Sequence, residues 1–123
     1  MKNQAGNRVF KSAWFAKSAR KIHLSDESLC QAIQQAMKGQ VDDLGGGVLK
    51  KRVNDNMHRS IILARVGVWW IYQYLFAKKD RDNIDEAELK AFRKLASAYS
   101  KLAPAQIDQL VEDQELVEIC HDC

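Results

Sequence analysis

The sequence predicts an α+β fold: a single antiparallel β-sheet with helices packed on it, in the order β-α-α-β-β-β-α-α. Two patterns point there. Between Gly47 and Lys78, three runs rich in β-branched and aromatic residues follow one another through short connections, as in an antiparallel meander. On both sides of them apolar residues recur at helical spacing, with capping and proline signals nearby.

The elements follow in order. Val9 and Phe10 in "RVFKS" read as a short first strand. "SAWFAKSARKI" has helical spacing, with Trp14, Phe15, Ser18 and Ile22 on one side. "LSDESLCQAIQQAMKGQ" is a clearer helix. Ser25 suits its N-cap, Asp26 and Glu27 suit the positive end of its dipole, and Gly39 suits its end. Leu29, Ile33, Ala36 and Met37 form its expected buried stripe. After "LGGG", the strands are "GVLKKRVND", "SIILARV" and, past Gly67, "VWWIYQYLFAK", whose aromatics read as core. "DRDNIDEAELKAFRKLASAYSKL" is a helix starting near Asn83 or Asp85, with Leu89, Phe92, Leu95, Ala96 and Tyr99 on one face. Pro104 fits the first turn of a last helix, "PAQIDQLVEDQELVEI", so residues 104–123 read as an acidic helical extension of a single domain spanning 1–123.

A chain of 123 residues, 46% hydrophobic, suits one domain with a core of its own. No apolar run approaches the ~20 residues of a membrane helix. "MKNQAGNRVFK" lacks the apolar stretch of a signal peptide, so a soluble, cytoplasmic protein is expected. Three cysteines without a secretory signal argue against a disulfide framework. Cys120 and Cys123 form a terminal C-x-x-C that reads as an incidental pair of thiols rather than a metal site.

The net charge of +3 is unevenly spread. Residues 1–24 hold six cations and no acids, whereas residues 104–123 hold six acids and no Lys or Arg. Either the protein has a polyanion-facing side and a separate acidic element, or its two ends lie together and neutralise.

The segment that carries chemistry is "LGGGVLKKRV". Alternation along a strand puts Lys50 and Arg52 on one face with Val48, and Lys51 on the other with Leu49 and Val53. Arg59 returns beside them after "NDNM", preceded by His58, and the long strand ends in Lys78 and Lys79, with Arg81 next. From Val48 to Asp82 there are eight Lys or Arg and three acids. Such a cluster can hold a phosphodiester and stabilise charge that develops on it. A solvated basic strand would have the same composition. No paired carboxylates or Ser-His-Asp spacing offers a competing centre.

"WFAKSARKIHLSDESLCQAI", "LGGGVLKKRV" and "FAKKDRDNIDEAELKAFRKLA" together resemble the RelE/HigB-like toxins of type II toxin–antitoxin modules, within the RelE/ParE superfamily, over roughly residues 8–118. The resemblance implies an endoribonuclease, an mRNA interferase that cleaves mRNA on the ribosome without metal or other cofactor. It implies catalytic roles for Lys50, Arg52, Arg59, Lys78 and Lys79, and substrate binding by His58, Arg81 and Lys51. "LGGG" would be a flexible entry to the strand. The implied partners are mRNA, the ribosome and a small helix-turn-helix antitoxin encoded next door, with no membrane. The alternative is a relative that acts by binding alone, either a gyrase-directed toxin or an inactive nucleic-acid-binding protein. Relatives often carry a longer Gly- and Lys-rich loop where this chain has "NDNMH".

Overall fold

The computed structural model describes residues 7–121. The elements are β1 (Arg8–Ser12), α1 (Ala13–Lys21), α2 (Asp26–Met37), β2 (Asp42–Asp43), β3 (Val48–Val53), β4 (His58–Arg65), β5 (Trp69–Ala77), α3 (Glu86–Ser100), α4 (Pro104–Glu112) and β6 (Leu116–Ile119). One sheet runs β2-β3-β4-β5-β1-β6. The α+β architecture stands, and the β3-β4-β5 meander is antiparallel as its short connections dictate. The sheet is mixed, however, because β1 lies parallel to β5.

Helices cover both faces. On one, Phe15, Ala19, Leu29 and Ile33 of α1 and α2 pack against Leu49, Val53, Ile62, Trp70 and Tyr72. On the other, Ala96 of α3 and Ile107 of α4 pack against Phe10, Val48, Ile61, Leu63 and Ile71. A strand buried on both faces needs a nearly continuous apolar run, which is why β5 reads "WWIYQYLFA". A bulge in the β4–β5 ladder falls at Ile61/Ile62 and keeps Ile71 and Tyr74 on the same side despite the odd step between them.

The last helix is shorter than its sequence pattern suggests. It ends at Glu112; Gln114 takes φ 63°, and Leu116–Ile119 then pairs antiparallel with β1. Leu116 is buried on the α3 side and Ile119 on the α1 side, as strand alternation requires. The acidic tail therefore lies against the N-terminal strand. Arg8 holds Glu118 through two nitrogens, at 2.9 and 3.0 Å, and Asp108 at 2.8 Å. In Arg8, at least, the two oppositely charged ends meet and neutralise. Four strand spacings, about 19 Å, separate β6 from β3.

Three further expectations are corrected. Trp14 is off the buried stripe of α1, which runs through Phe15, Ala16 and Ala19, and Met37 is exposed at the end of α2. Cys30 of α2 is disulfide-bonded to Cys120, just past β6; Cys123 lies outside the described residues. The third is the glycine loop, which is pinned rather than loose. Gly45, Gly46 and Gly47 all adopt positive φ, between 65 and 83°. Arg93 of α3 donates to the carbonyls of Leu44 and Gly45, and the Asp43 carboxylate accepts from Gly45 N at 2.8 Å. A β-carbon at Gly47 would sit 3.1 Å from the Ala64 carbonyl oxygen and 3.3 Å from the Ala96 β-carbon. Gly47→Ala is thus expected to cost at least about 1–2 kcal/mol, the left-handed penalty alone. A denaturant midpoint equal to that of the parent protein would refute this account of the loop.

Candidate functional site

Strand parity divides the basic segment as expected. Val48 belongs to the α3-side core, so Lys50 and Arg52 share that face; Leu49 and Val53 belong to the α1/α2 side, with Lys51. Across the ladders Arg52 faces Arg59, and Arg59 faces Phe76. This puts two arginines directly opposite each other on one face at one end of the sheet. The exposed Lys78 and Lys79 that follow β5 lie at the same end, whereas His58, opposite Val53 and Ala77, falls on the Lys51 face.

The turn between β3 and β4 orients this cluster. Asn54, Asp55 and Asn56 adopt left-handed φ of 55, 52 and 68°. Asn and Asp are the side chains that best tolerate that conformation, so the turn closes without glycine. Nη1 of Arg59 donates to the Asn56 carbonyl at 3.0 Å, to Asn56 Oδ1 at 3.1 Å and to the His58 carbonyl at 3.2 Å. Its Nε and Nη2 make no hydrogen bond among the described residues. The Asn54 side-chain amide lies 3.0 Å from His58 Nδ1. An amide N–H in that position makes Nδ1 the acceptor and leaves the ring proton on Nε2. Burial lowers the His58 pKa; Asp80 opposes this, and Lys79 adds a smaller downward push. The ring is therefore neutral at physiological pH.

Lys50 and Arg81 are less available than the sequence suggests. The Lys50 side chain is 16% exposed and lies 3.9 Å from Asp42, beside the fully buried Ile61. Arg81 is paired with both oxygens of Glu88, donates to the Asn83 carbonyl and lies 5.4 Å above the Phe76 ring. Glu88 also closes the capping box of α3 with Asp85, so Arg81 ties the end of β5 to the start of a helix. The hydrogen bonds with Glu88 raise the Arg81 pKa and lower that of Glu88. Lys51, on the opposite face, is only 8% exposed. Its pKa is lowered by burial and then by Arg52, against the pull of Asp42.

Trp14 joins the site unforeseen, and with it Tyr74, an aromatic of the long strand that could also have served for base stacking. Trp14 is 49% exposed and stacks on Tyr74 at 5.0 Å; Tyr74 in turn lies 5.9 Å from Phe76. The α1 stripe Phe15-Ala16-Ala19 already excludes Trp14 from the core, and that spacing was the available signal. Trp69, Trp70 and Tyr72 are buried, as expected of aromatics on a central strand.

A family model for the RelE toxin of the RelE/RelB toxin–antitoxin system matches residues 7–119. The chain belongs to the RelE toxin family. No curated protein and no solved structure matches it. A RelE-family toxin has a cognate antitoxin as its partner. Among the described residues no helix is long and apolar enough to cross a membrane.

Proposed function

We propose that this RelE-family toxin is an endoribonuclease that cleaves mRNA on the ribosome, in the cytoplasm, until a helix-turn-helix antitoxin encoded next to it binds. The observation that carries this reading is the cross-strand pair Arg52/Arg59. Like charges directly opposite in a sheet are destabilising, so their juxtaposition beside exposed Lys78 and Lys79 is best explained by a phosphate between them. Arg59 offers two uncommitted donors, a fork suited to two phosphate oxygens. Arg52 neutralises charge on the same group, while Lys78 and Lys79 hold the flanking backbone. His58, neutral with Nδ1 held by Asn54, lies opposite Val53 on the Lys51 face and braces the turn that orients Arg59. Lys50 is the candidate to move the 2′-hydroxyl proton. The exposed face of Trp14, backed by Tyr74, offers a surface on which a base beside the cleaved bond can stack.

In-line attack by the ribose 2′-hydroxyl forms the new P–O2′ bond and breaks P–O5′, and the leaving 5′-oxygen takes a proton from solvent, giving a 2′,3′-cyclic phosphate and a 5′-hydroxyl. Mapping the ends of mRNA cleaved on programmed ribosomes tests the chemistry, and a 5′-phosphate product would rule it out. Induction in cells should stop amino-acid incorporation first; early loss of thymidine incorporation with protein synthesis intact would favour the gyrase-directed alternative. In the same ribosomal digests, Trp14→Ala should slow cleavage about tenfold, the worth of one stacked base. An unchanged rate would remove Trp14 from the site.

A further inference from the structure

The first turn of α1 hangs on the edge strand β6. The parallel β1–β5 ladder ends at Lys11↔Tyr72, one residue short of Ser12. Past that point the backbone of the β1–α1 junction is held from the other side. Ser12 pairs with Leu116, and Ala13 N donates to the Glu115 carbonyl at 3.0 Å. Toward β5 the junction has a side-chain bond, from Ser12 Oγ to the Gln73 carbonyl at 3.4 Å. The same Oγ accepts from Phe15 N at 3.0 Å and so caps α1. Between the two residues whose amides are held in this way stands Trp14, the exposed ring stacked on Tyr74. The base-stacking surface therefore rests on a junction that β6 fixes.

β6 is tied down in turn by Cys120, the residue that follows it. Cys120 takes φ 64°, a left-handed conformation that is unfavourable for any residue with a side chain. It is buried, and its sulfur is bonded to Cys30 of α2, which is the more open of the two to solvent. Small secreted domains use such bonds as permanent staples. Cytosolic proteins, whose thiols are kept reduced, use them chiefly as transient, redox-sensing bonds.

We infer that the Cys30–Cys120 bond is a redox latch: closed, it holds β6 and with it the Trp14 stacking surface; opened by cellular thiols, it loosens both and slows cleavage. The opening step is thiol–disulfide exchange. The thiolate of a small thiol such as glutathione attacks the Cys30 sulfur. The S–S bond breaks, and Cys120 leaves as a thiolate and takes a proton from solvent. A second small thiol then releases Cys30, and the two reductant sulfurs join in a disulfide. Two electrons pass to the latch, and an oxidised thiol of the same class accepts them when it closes. With β6 loose, Glu115 and Leu116 no longer fix Ala13 and Ser12. Arg52 and Arg59 stand on strands four and three places from β6 and keep their positions. The change thus falls on the placing of the base, not on the charges that meet the phosphate.

The effect on rate rests on the ribonuclease reading; the latch itself does not. Full-length protein is equilibrated in glutathione buffers from oxidised to reduced, and free thiols are counted by alkylation and mass. Two further thiols should appear within that range. As they do, hydrogen exchange at the Ala13 and Phe15 amides should speed up about tenfold or more, and by a larger factor than in β4. Cleavage on programmed ribosomes should slow by up to about tenfold, the worth of one stacked base, and reoxidation should restore it. Cys30→Ser/Cys120→Ser should be slow in every buffer, and Trp14→Ala slow and indifferent to reductant. A bond that survives reduced glutathione and yields only to excess dithiothreitol is a permanent staple and overturns the latch. So does opening that leaves the Ala13 and Phe15 amides unchanged, that speeds α1 and β4 alike as global unfolding would, or that leaves the cleavage rate as it was. Absence of cleavage in every state overturns the ribonuclease reading instead, and the thiol count and exchange rates then decide the latch alone.

Discussion

Arg59→Ala is expected to abolish toxicity, and Arg59→Lys to restore it only in part. Removing one oriented donor to developing charge costs about 100–1000-fold in rate. Arg59 is oriented: its Nη1 is fixed by three acceptors in the β3–β4 turn, and its other nitrogens point away uncommitted. A lysine at this position returns the charge without the planar fork. Alanine also removes the bonds to Asn56, so the rate must be read beside a melting curve. Arg52→Ala separates the two effects, since Arg52 is exposed and makes no side-chain hydrogen bond among the described residues. That change should cost a similar factor in cleavage. It should also raise stability by up to about 1 kcal/mol, because it relieves the charge facing Arg59. Lys51→Ala removes a neighbouring charge on the other face and should leave cleavage near the wild-type rate. Equal inactivation by Lys51→Ala and Arg52→Ala, with both proteins folded, would sink the assignment of the two faces. Full activity in Arg52→Ala and Arg59→Ala would place the catalytic centre elsewhere.

What the sequence revealed and what it hid divide along the range of the interactions. The meander β3-β4-β5 was legible because each turn is short and each strand names its own partner. The parity of "VLKKRV" was legible because alternation is a property of the backbone, and the burial of Leu49, Lys51 and Val53 follows it. The α3 start was legible to within Asn83 or Asp85, and the capping box that Glu88 closes with Asp85 settles it on Asp85. The parallel β1–β5 pair was not, because its partners stand some sixty residues apart and nothing local marks the direction of approach. For the same reason "LVEI" passed for the end of a helix until its partner strand was known.

The site shows the same division. The placing of Arg52 opposite Arg59 and of Lys78 and Lys79 at the end of β5 was legible from the strand pattern. The engagement of Arg81 by Glu88 depends on how α3 docks, and so does the pinning of the glycine loop by Arg93. The burial of Lys51 depends on α2 lying over β3. Charge alone could not separate these three cations from those left free.

Removing the Cys30–Cys120 bond is expected to give the largest change in stability of any pair of substitutions. The bond closes a loop with a sequence separation of 90, joining α2 on one face to the end of the edge strand β6. By chain entropy alone, a loop of that length is worth about 4–5 kcal/mol. The position adds a structural consequence. β6 pairs with β1 only and is four residues long, so its hold on the sheet rests on that ladder, Leu116, Ile119 and the Arg8 ion pairs. Without the disulfide, β6 should detach before the rest of the sheet, while the Arg52/Arg59 pair, on strands four and three places away, stays formed. The measurement compares Cys30→Ser/Cys120→Ser with the oxidised wild type in denaturant, and repeats both under a strong thiol reductant. The double variant should unfold at a lower midpoint in oxidising buffer and coincide with the wild type in reductant. Hydrogen exchange should show Val117 and Ile119 opening in the variant at free energies well below those of β4. Coincident midpoints in oxidising buffer would mean that the bond does not form in solution, and that β6 is held by its ladder and ion pairs alone.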